Sequence, residues 1–74
     1  MKLLREGARL VWIGTPADRT ELRVGDALVL THPDGSTRHG VVAADADNRL
    51  VLRSDGPEGD IDLATDMDAE RVPA

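Results

Sequence analysis

The sequence predicts an all-β fold, specifically a small five-stranded antiparallel β-barrel, open or closed, with a short helical turn near its C-terminal end. Two observations predict this fold. Residues 22–53 contain two consecutive hairpin patterns, and their short strand candidates are separated by tight turns. The chain has 74 residues, which is the length of one domain, so we expect a single small domain over 1–74.

The first predicted strand is Ala8–Ile13, which is rich in β-branched and aromatic residues and is bounded by glycines. A loop over 14–20 follows, since this stretch contains proline and shows no periodicity. The next strand begins near Leu22 and is interrupted by Gly25. A glycine at that point predicts a bulge or a sharp bend of the kind that turns a barrel corner.

The first hairpin turns at Pro33, Asp34 and Gly35. A two-residue loop would require a backbone N–H from Pro33, which proline lacks. A three-residue loop places proline where its fixed φ fits and glycine where φ is positive, so we prefer it. This register pairs Leu28 with Gly40 and predicts that Leu28 and Val42 point to the same face.

The second hairpin turns within 45–49, and its loop length decides which valine of the preceding strand points inward. A loop spanning Asp45 to Arg49 pairs Val42 with Leu52, whereas a loop one residue shorter pairs Val41 with Leu52. A slip of one residue would invert the whole face of the strand, so both alternatives stay open.

The C-terminal part alternates over 60–64, which predicts a strand with two aspartates outward. Residues 65–71 predict a helical turn capped by Thr65, with acidic residues in its first turn. Residues 72–74 are expected to fray. The predicted core is the set of inward-facing leucines and isoleucine from these strands: Leu28, Leu30, Leu50, Leu52, Ile61 and Leu63.

Size and composition limit the possible functions. A chain this short has a thin core, and with no cysteine it has neither disulfides nor thiolate metal ligands. Residues 1–6 precede no long apolar stretch, so we expect no signal peptide, no membrane segment and a cytoplasmic location. Residues 45–74 contain three arginines against nine acids, a net charge of −6. This acidity repels phosphates, and it predicts either a solubilising face or a docking surface for a basic partner.

Catalytic and metal-binding patterns are incomplete. The preferred register places His32 and His39 on opposite faces, so they cannot share a metal, and two ligands are too few for zinc. The acids of the 45–48 turn begin like a calcium loop, but the required glycine and glutamate do not follow. Neither Ser36 nor Ser54 has a histidine and acid relay. We therefore expect no enzymatic activity, no cofactor and no metal site.

Three arginines form the candidate nucleic-acid surface. Arg49 and Arg53 lie on the outward side of one strand, and Arg38 lies at the rim. Together they predict a small positive stripe. RNA-binding sheets usually add exposed aromatic residues for base stacking, and this chain has one tryptophan and no other aromatic residue.

Trp12 is either the main core filler or an exposed anchor for a partner. It shares one face of its strand with Leu10, and Val11 and Ile13 form the other face. Because both faces are apolar, we expect the strand to be covered twice, by the barrel and by a helical turn, a second subunit or a partner. The candidate partner contacts are these central strand residues and the outward aspartates of the C-terminal strand: Trp12, Val11, Ile13, Asp60 and Asp62.

The run Leu22-x-Val24-Gly25-Asp26-x-Leu28-Val29-Leu30, followed by Asp34-Gly35 and by Gly40-Val41-Val42, resembles the strand–turn–strand core of SH3-like barrels. Its rhythm is similar to that of KOW-type and Sm-like modules. The resemblance implies a scaffold that binds RNA or protein, and it transfers no catalytic residue.

The leading hypothesis is a non-catalytic protein-interaction module, a small accessory or regulatory subunit that binds another protein or a second copy of itself. The first alternative is a nucleic-acid-binding barrel that uses the arginine stripe. The second alternative is an acidic mimic of nucleic acid that inhibits a DNA- or RNA-handling protein.

Overall fold

The computed structural model describes residues 1–15 and 17–72. They form one eight-stranded antiparallel sheet in the order β3-β2-β1-β8-β4-β5-β6-β7. The strands are β1 Lys2–Gly7, β2 Leu10–Thr15, β3 Asp18–Glu21, β4 Ala27–Thr31, β5 Thr37–Ala44, β6 Leu50–Ser54, β7 Asp60–Asp62 and β8 Asp68–Arg71. No helix that could cross a membrane is found in this described part of the chain.

The all-β prediction is confirmed, but the five-stranded barrel is wrong. The sheet has eight strands, and its ladder does not close, because β3 and β7 are free edges. The predicted loop over 14–20 is mostly strand: residues 14–15 end β2, and residues 18–20 belong to β3. Pro16 lies outside the described residues. The residues before Ala8, for which no strand was predicted, form β1. Both strands are rich in charged residues, so their alternation of apolar side chains is weak.

The predicted helical turn over 65–71 is also wrong. Residues 65–66 form a turn in which Asp66 has a φ of +74°, and β8 follows. β8 lies between β1 and β4, and its Ala69 pairs with Leu30 inside the core. The Ala69 N–H donates to the Met1 carbonyl at 2.7 Å. Hydrogen bonds to β1 and β4 stabilise the strand more than the local capping pattern stabilises a helical turn. The predicted fraying of 72–74 falls mostly on residues 73–74, which lie outside the described part.

The first hairpin has the predicted three-residue loop. The His32 N–H donates to the Ser36 carbonyl at 2.8 Å, and Leu28 pairs with Gly40. Gly35 has a φ of +90°, as the turn requires. Asp34 accepts hydrogen bonds from the hydroxyl and the backbone N–H of Ser36, and these bonds lower the pKa of its carboxyl. The residues of this turn therefore predicted the register of the first hairpin correctly.

The second hairpin resolves the choice between the two valines. The Asp45 N–H donates to the Arg49 carbonyl at 2.9 Å, so the loop is the longer one and Val42 pairs with Leu52. The Asp45 carboxylate also accepts the N–H groups of Asp47 and Arg49, each at 2.9 Å. All six predicted core residues pack together, five of them buried and Ile61 partly buried.

This register makes a prediction about stability. The Val42 side chain is fully buried, whereas Val41 is 45% exposed. We expect Val42→Ala to lower the free energy of unfolding by about 2 kcal/mol, because it leaves a cavity in the core. Val41→Ala should change it by less than about 0.5 kcal/mol. Urea unfolding of the two variants measures the difference, and equal effects would contradict the register.

Arg5 joins parts of the sheet that no ladder connects. Its guanidinium donates to the carbonyls of Leu63 at 2.5 Å, Gly7 at 3.1 Å and Ala8 at 3.0 Å, and also to the Leu50 carbonyl. The side chain is only 10% exposed, and burial lowers its pKa. The Leu50 N–H in turn donates to the Ala8 carbonyl at 2.7 Å. These bonds, rather than a closed ladder, hold β1 against β6 and the residue after β7.

Candidate protein-interaction surface

Strand β2 separates the core from the outer face of the sheet. Val11 is fully buried and Ile13 is 2% exposed, and both belong to the core cluster. The sequence grouped them with the partner contacts, but a partner cannot reach them while the sheet is folded. Their neighbours Leu10 and Trp12 alternate to the opposite side and are half-buried. The candidate surface on β2 is therefore limited to this outer side.

Trp12 lies at the centre of the outer face of the first three strands. It pairs with Leu4 on β1 and with Glu21 on β3. The guanidinium carbon of Arg19 lies 5.3 Å from the centroid of the indole ring, within cation–π range. Trp12 is not among the residues of the core cluster. Trp12 is half-buried on the outer face, so it is not the main core filler.

The indole nitrogen of Trp12 is buried and has no hydrogen-bond partner. A buried Trp N–H usually finds an acceptor, since an unpaired donor costs about 1–3 kcal/mol. Leu4 is the cross-strand neighbour of Trp12 on β1 and the Arg19 cation lies over the ring, while the only polar atom of the side chain is unsatisfied. A carbonyl or carboxylate from another molecule could supply that acceptor if the neighbouring side chains moved.

An open groove of about 550 Å³ lies beside the tryptophan. Its lining is mostly apolar and includes Lys2, Leu4, Trp12, Gly14, Arg19 and Asp66. Lys2 lies 3.5 Å from Asp68, and Arg19 lies 3.5 Å from Glu6. Both pairs are solvent-exposed and therefore weak, so either cation can turn toward a bound acid.

Gly14 explains how β3 approaches this groove. Its φ is +134°, and a Cβ at this position would collide with the backbone of Asp18 and Arg19. Glycine therefore allows the tight hairpin between β2 and β3.

The three arginines of the predicted nucleic-acid stripe are all paired with carboxylates. Arg49 lies 3.1 Å from Asp62, and Arg53 lies 3.0 Å from Asp60, which raises the pKa of Arg53. Arg38 Nε lies 2.6 Å from Glu58, although its N–H is not directed at the oxygen well enough for a hydrogen bond. The stripe is consequently close to neutral, which weakens its attraction for phosphates.

The predicted partner aspartates are not next to the tryptophan within the sheet. Asp60 and Asp62 lie on β7, and five strands separate β7 from β2 in the sheet order. Their carboxylates pair with Arg53 and Arg49. The structure therefore does not join the predicted aspartates and Trp12 into one ladder of neighbouring strands.

The remaining acidic residues also divide into separate groups. Asp68 and Glu70 lie on β8, and β4, β5 and β6 separate them from the acids of β7. Asp68 is paired with Lys2. The acids of β7 and β8 therefore do not form one run of carboxylates along adjacent strands, as the acidic mimic would need.

The two histidines lie on β5 and at the end of the β4–β5 hairpin. His39 is exposed and pairs with Val29, while His32 is half-buried beside the turn. Within residues 1–15 and 17–72, no three His, Cys, Asp or Glu side chains come together as a metal-binding group.

Sequence reasoning missed the two residues that complete the groove, Leu4 and Arg19. Leu4 belongs to β1, for which no strand was predicted, and Arg19 belongs to the segment assigned to a loop. Residues 18–21 contain no apolar side chain, so no alternation of apolar and polar residues marks β3 in the sequence.

Comparisons with protein families, with curated proteins and with solved structures find no match for this chain.

Proposed function

We propose that this protein is a non-catalytic protein-interaction module whose partner binds the outer face of β1, β2 and β3 around Trp12. One observation supports the proposal above the others. The only aromatic side chain of the protein lies outside the core, beside an open groove, with its N–H unpaired. Tryptophan is strongly enriched among the residues that dominate binding energy at protein interfaces.

The chemistry of the groove indicates what the partner presents. Leu4 and the indole ring favour an apolar side chain, and the buried indole N–H would donate to an oxygen of the partner once the neighbouring side chains move on binding. Arg19 and Lys2 line the same groove, and an acidic group of the partner could replace Glu6 and Asp68 as their counter-charge. An apolar residue next to a carboxylate on a protein loop or strand meets all three requirements.

Nucleic-acid binding and acidic mimicry stay predictions with less support. Carboxylates within the protein pair with each arginine of the stripe. The acids of β7 and β8 lie on strands that are not adjacent. Either role would require these ion pairs to open first.

Trp12→Ala tests the proposed function. The purified protein, immobilised through its C-terminal end, is incubated with lysate of its source organism, and retained proteins are quantified by mass spectrometry. We expect a specific partner to be retained by the wild type and lost with Trp12→Ala. With the isolated partner, the loss should be at least about 30-fold in affinity, about 2 kcal/mol, as for an interface hot spot.

Val41→Ala is the matched control, because Val41 is an exposed apolar residue on β5, away from the groove. We expect this variant to keep the partner. We also expect Trp12 emission to shift to the blue when the isolated partner covers the ring. Retention of the partner by Trp12→Ala, or its equal loss from both variants, would refute the proposed surface.

A further inference from the structure

Strand β3 is one of the two free edges of the sheet. Its pairing with β2 determines which of its residues direct their backbone N–H and carbonyl groups away from the sheet. The Leu22 N–H donates to the Val11 carbonyl at 2.8 Å, and the ladder continues without a bulge through Ile13 and Thr20. Hydrogen-bonded pairs alternate in an antiparallel ladder. Thr20 therefore directs its N–H and carbonyl toward β2, and the next residues on either side, Arg19 and Glu21, direct theirs away from the sheet.

The two residues of β3 whose backbone groups point outward carry opposite charges. The outward-directed residues are one cation and one anion, Arg19 and Glu21, with Thr20 between them. Their side chains lie on the face that also carries Trp12, because Arg19 pairs with Gly14 and Glu21 pairs with Trp12 itself. In antiparallel pairing, side chains directly opposite each other attract or repel according to their charge.

We propose that β3 pairs with β3 of a second copy of this chain, antiparallel, about a two-fold axis that passes through Thr20. Only this symmetric register opposes Arg19 of each copy to Glu21 of the other. An axis through Arg19 would oppose two cations, and an axis through Glu21 would oppose two anions. The outward N–H and carbonyl groups of both residues then form about four backbone hydrogen bonds across the interface.

The other edge of the sheet lacks this complementarity. In β7, Asp60 and Asp62 flank Ile61, and a symmetric pairing centred on Ile61 would place aspartate opposite aspartate. Like charges directly opposite are destabilising, and acidic side chains protect edges from association. The proposed pairing therefore closes as a dimer, because it uses the same edge of both copies and leaves β7 free.

This dimer does not depend on the proposed function, although it would place two Trp12 surfaces on one continuous sheet. The salt bridge of Arg19 to Glu6 is 3.5 Å long and solvent-exposed, so it is a weak competitor for the guanidinium. Trp12→Ala should leave the dimer intact, so failure of the groove proposal and failure of the dimer proposal are distinguishable.

Sedimentation equilibrium of the full chain over a range of concentrations tests the charge pairing. Arg19→Glu and Glu21→Arg should each lower the association constant by about tenfold, because each makes both symmetric pairs repulsive. The double variant Arg19→Glu/Glu21→Arg restores opposite charges and should return to within about threefold of the wild type. Urea unfolding shows that each variant is folded.

Proline variants and amide exchange test which backbone N–H groups of β3 point away from the sheet. Proline is tolerated on an edge strand where the N–H faces solvent, so Glu21→Pro should stay folded and lose the dimer. Thr20→Pro removes the donor to β2 and should destabilise the monomer instead. In the wild type, the amides of Arg19 and Glu21 should exchange more slowly as concentration rises, while the exchange of the Thr20 amide should not change with concentration.

Three results would overturn the proposal. The first is a wild type that stays monomeric at millimolar concentration. The second is a dimer that keeps its association constant in Glu21→Pro and in the single charge reversals. The third is growth beyond a dimer into longer assemblies, which would mean that different edges pair.

Discussion

Replacing Arg5 by methionine should lower the free energy of unfolding by about 3 kcal/mol. The substitution keeps most of the aliphatic volume but removes the donors to the carbonyls of Leu50 and Leu63 and to those of the β1–β2 turn. Carbonyls left without a donor in a part-buried site lose both the bond and their access to water. We expect the contact between β1 and β6 to loosen, and chemical denaturation measures the loss.

Arg49→Met is the matched control for Arg5. Arg5 and Arg49 both pair with Asp62, at 3.8 and 3.1 Å, but the Arg49 side chain is 41% exposed. An exposed ion pair contributes about 0–1 kcal/mol, so this variant should unfold close to the wild type. Arg5→Lys should fall between the two, because lysine keeps the charge but cannot direct a planar fork at several carbonyls. A loss below about 1 kcal/mol in Arg5→Met would show that the guanidinium is not the link described above.

The second large effect is expected for Gly40→Ala. A Cβ at Gly40 would lie 2.5 Å from the carbonyl oxygen of Arg53 and 3.0 Å from the Leu52 side chain. The closest atom belongs to the backbone of β6, so relief requires β5 and β6 to separate. We expect a loss of about 3 kcal/mol from this overpacking, together with faster amide exchange along the β5–β6 ladder.

Gly7→Ala is the control for this variant. The nearest atom to a Cβ at Gly7 is the Leu10 Cβ at 4.0 Å, which is ordinary contact. Its backbone conformation also allows a side chain, so the stability should change by less than about 1 kcal/mol. If both glycine variants were equally stable, β5 and β6 would have to be farther apart than the structure places them.

The first hairpin and the position of the second turn could be predicted because the information that determines them is local. The Pro33-Asp34-Gly35 turn supplies the fixed φ, the Asx bond and the positive φ within three residues. Asp45 likewise binds the backbone of its own turn through two N–H groups. Once these turns are set, the alternation of leucines and valines determines which side chains face the core.

The candidate surface was only partly predictable. Trp12 was identified because it is the single aromatic residue, but Val11 and Ile13 could not be assigned to the core from a strand that is apolar on both sides. The ion pairs that neutralise Arg49 and Arg53 join residues of different strands. They depend on the β6–β7 register, which the sequence did not specify.

The sequence by itself determined the all-β class, the register of the first hairpin and the six apolar residues that meet in the interior, because turns and alternation act over a few neighbouring residues, while the register of the second hairpin was decided by the structure. Tertiary structure alone decided that residues 68–71 insert as β8, that Arg5 joins carbonyls 45 and 58 positions away, and that β3 is a free edge. Each of these depends on hydrogen-bonding groups from distant segments, and such groups meet only after the sheet has curled.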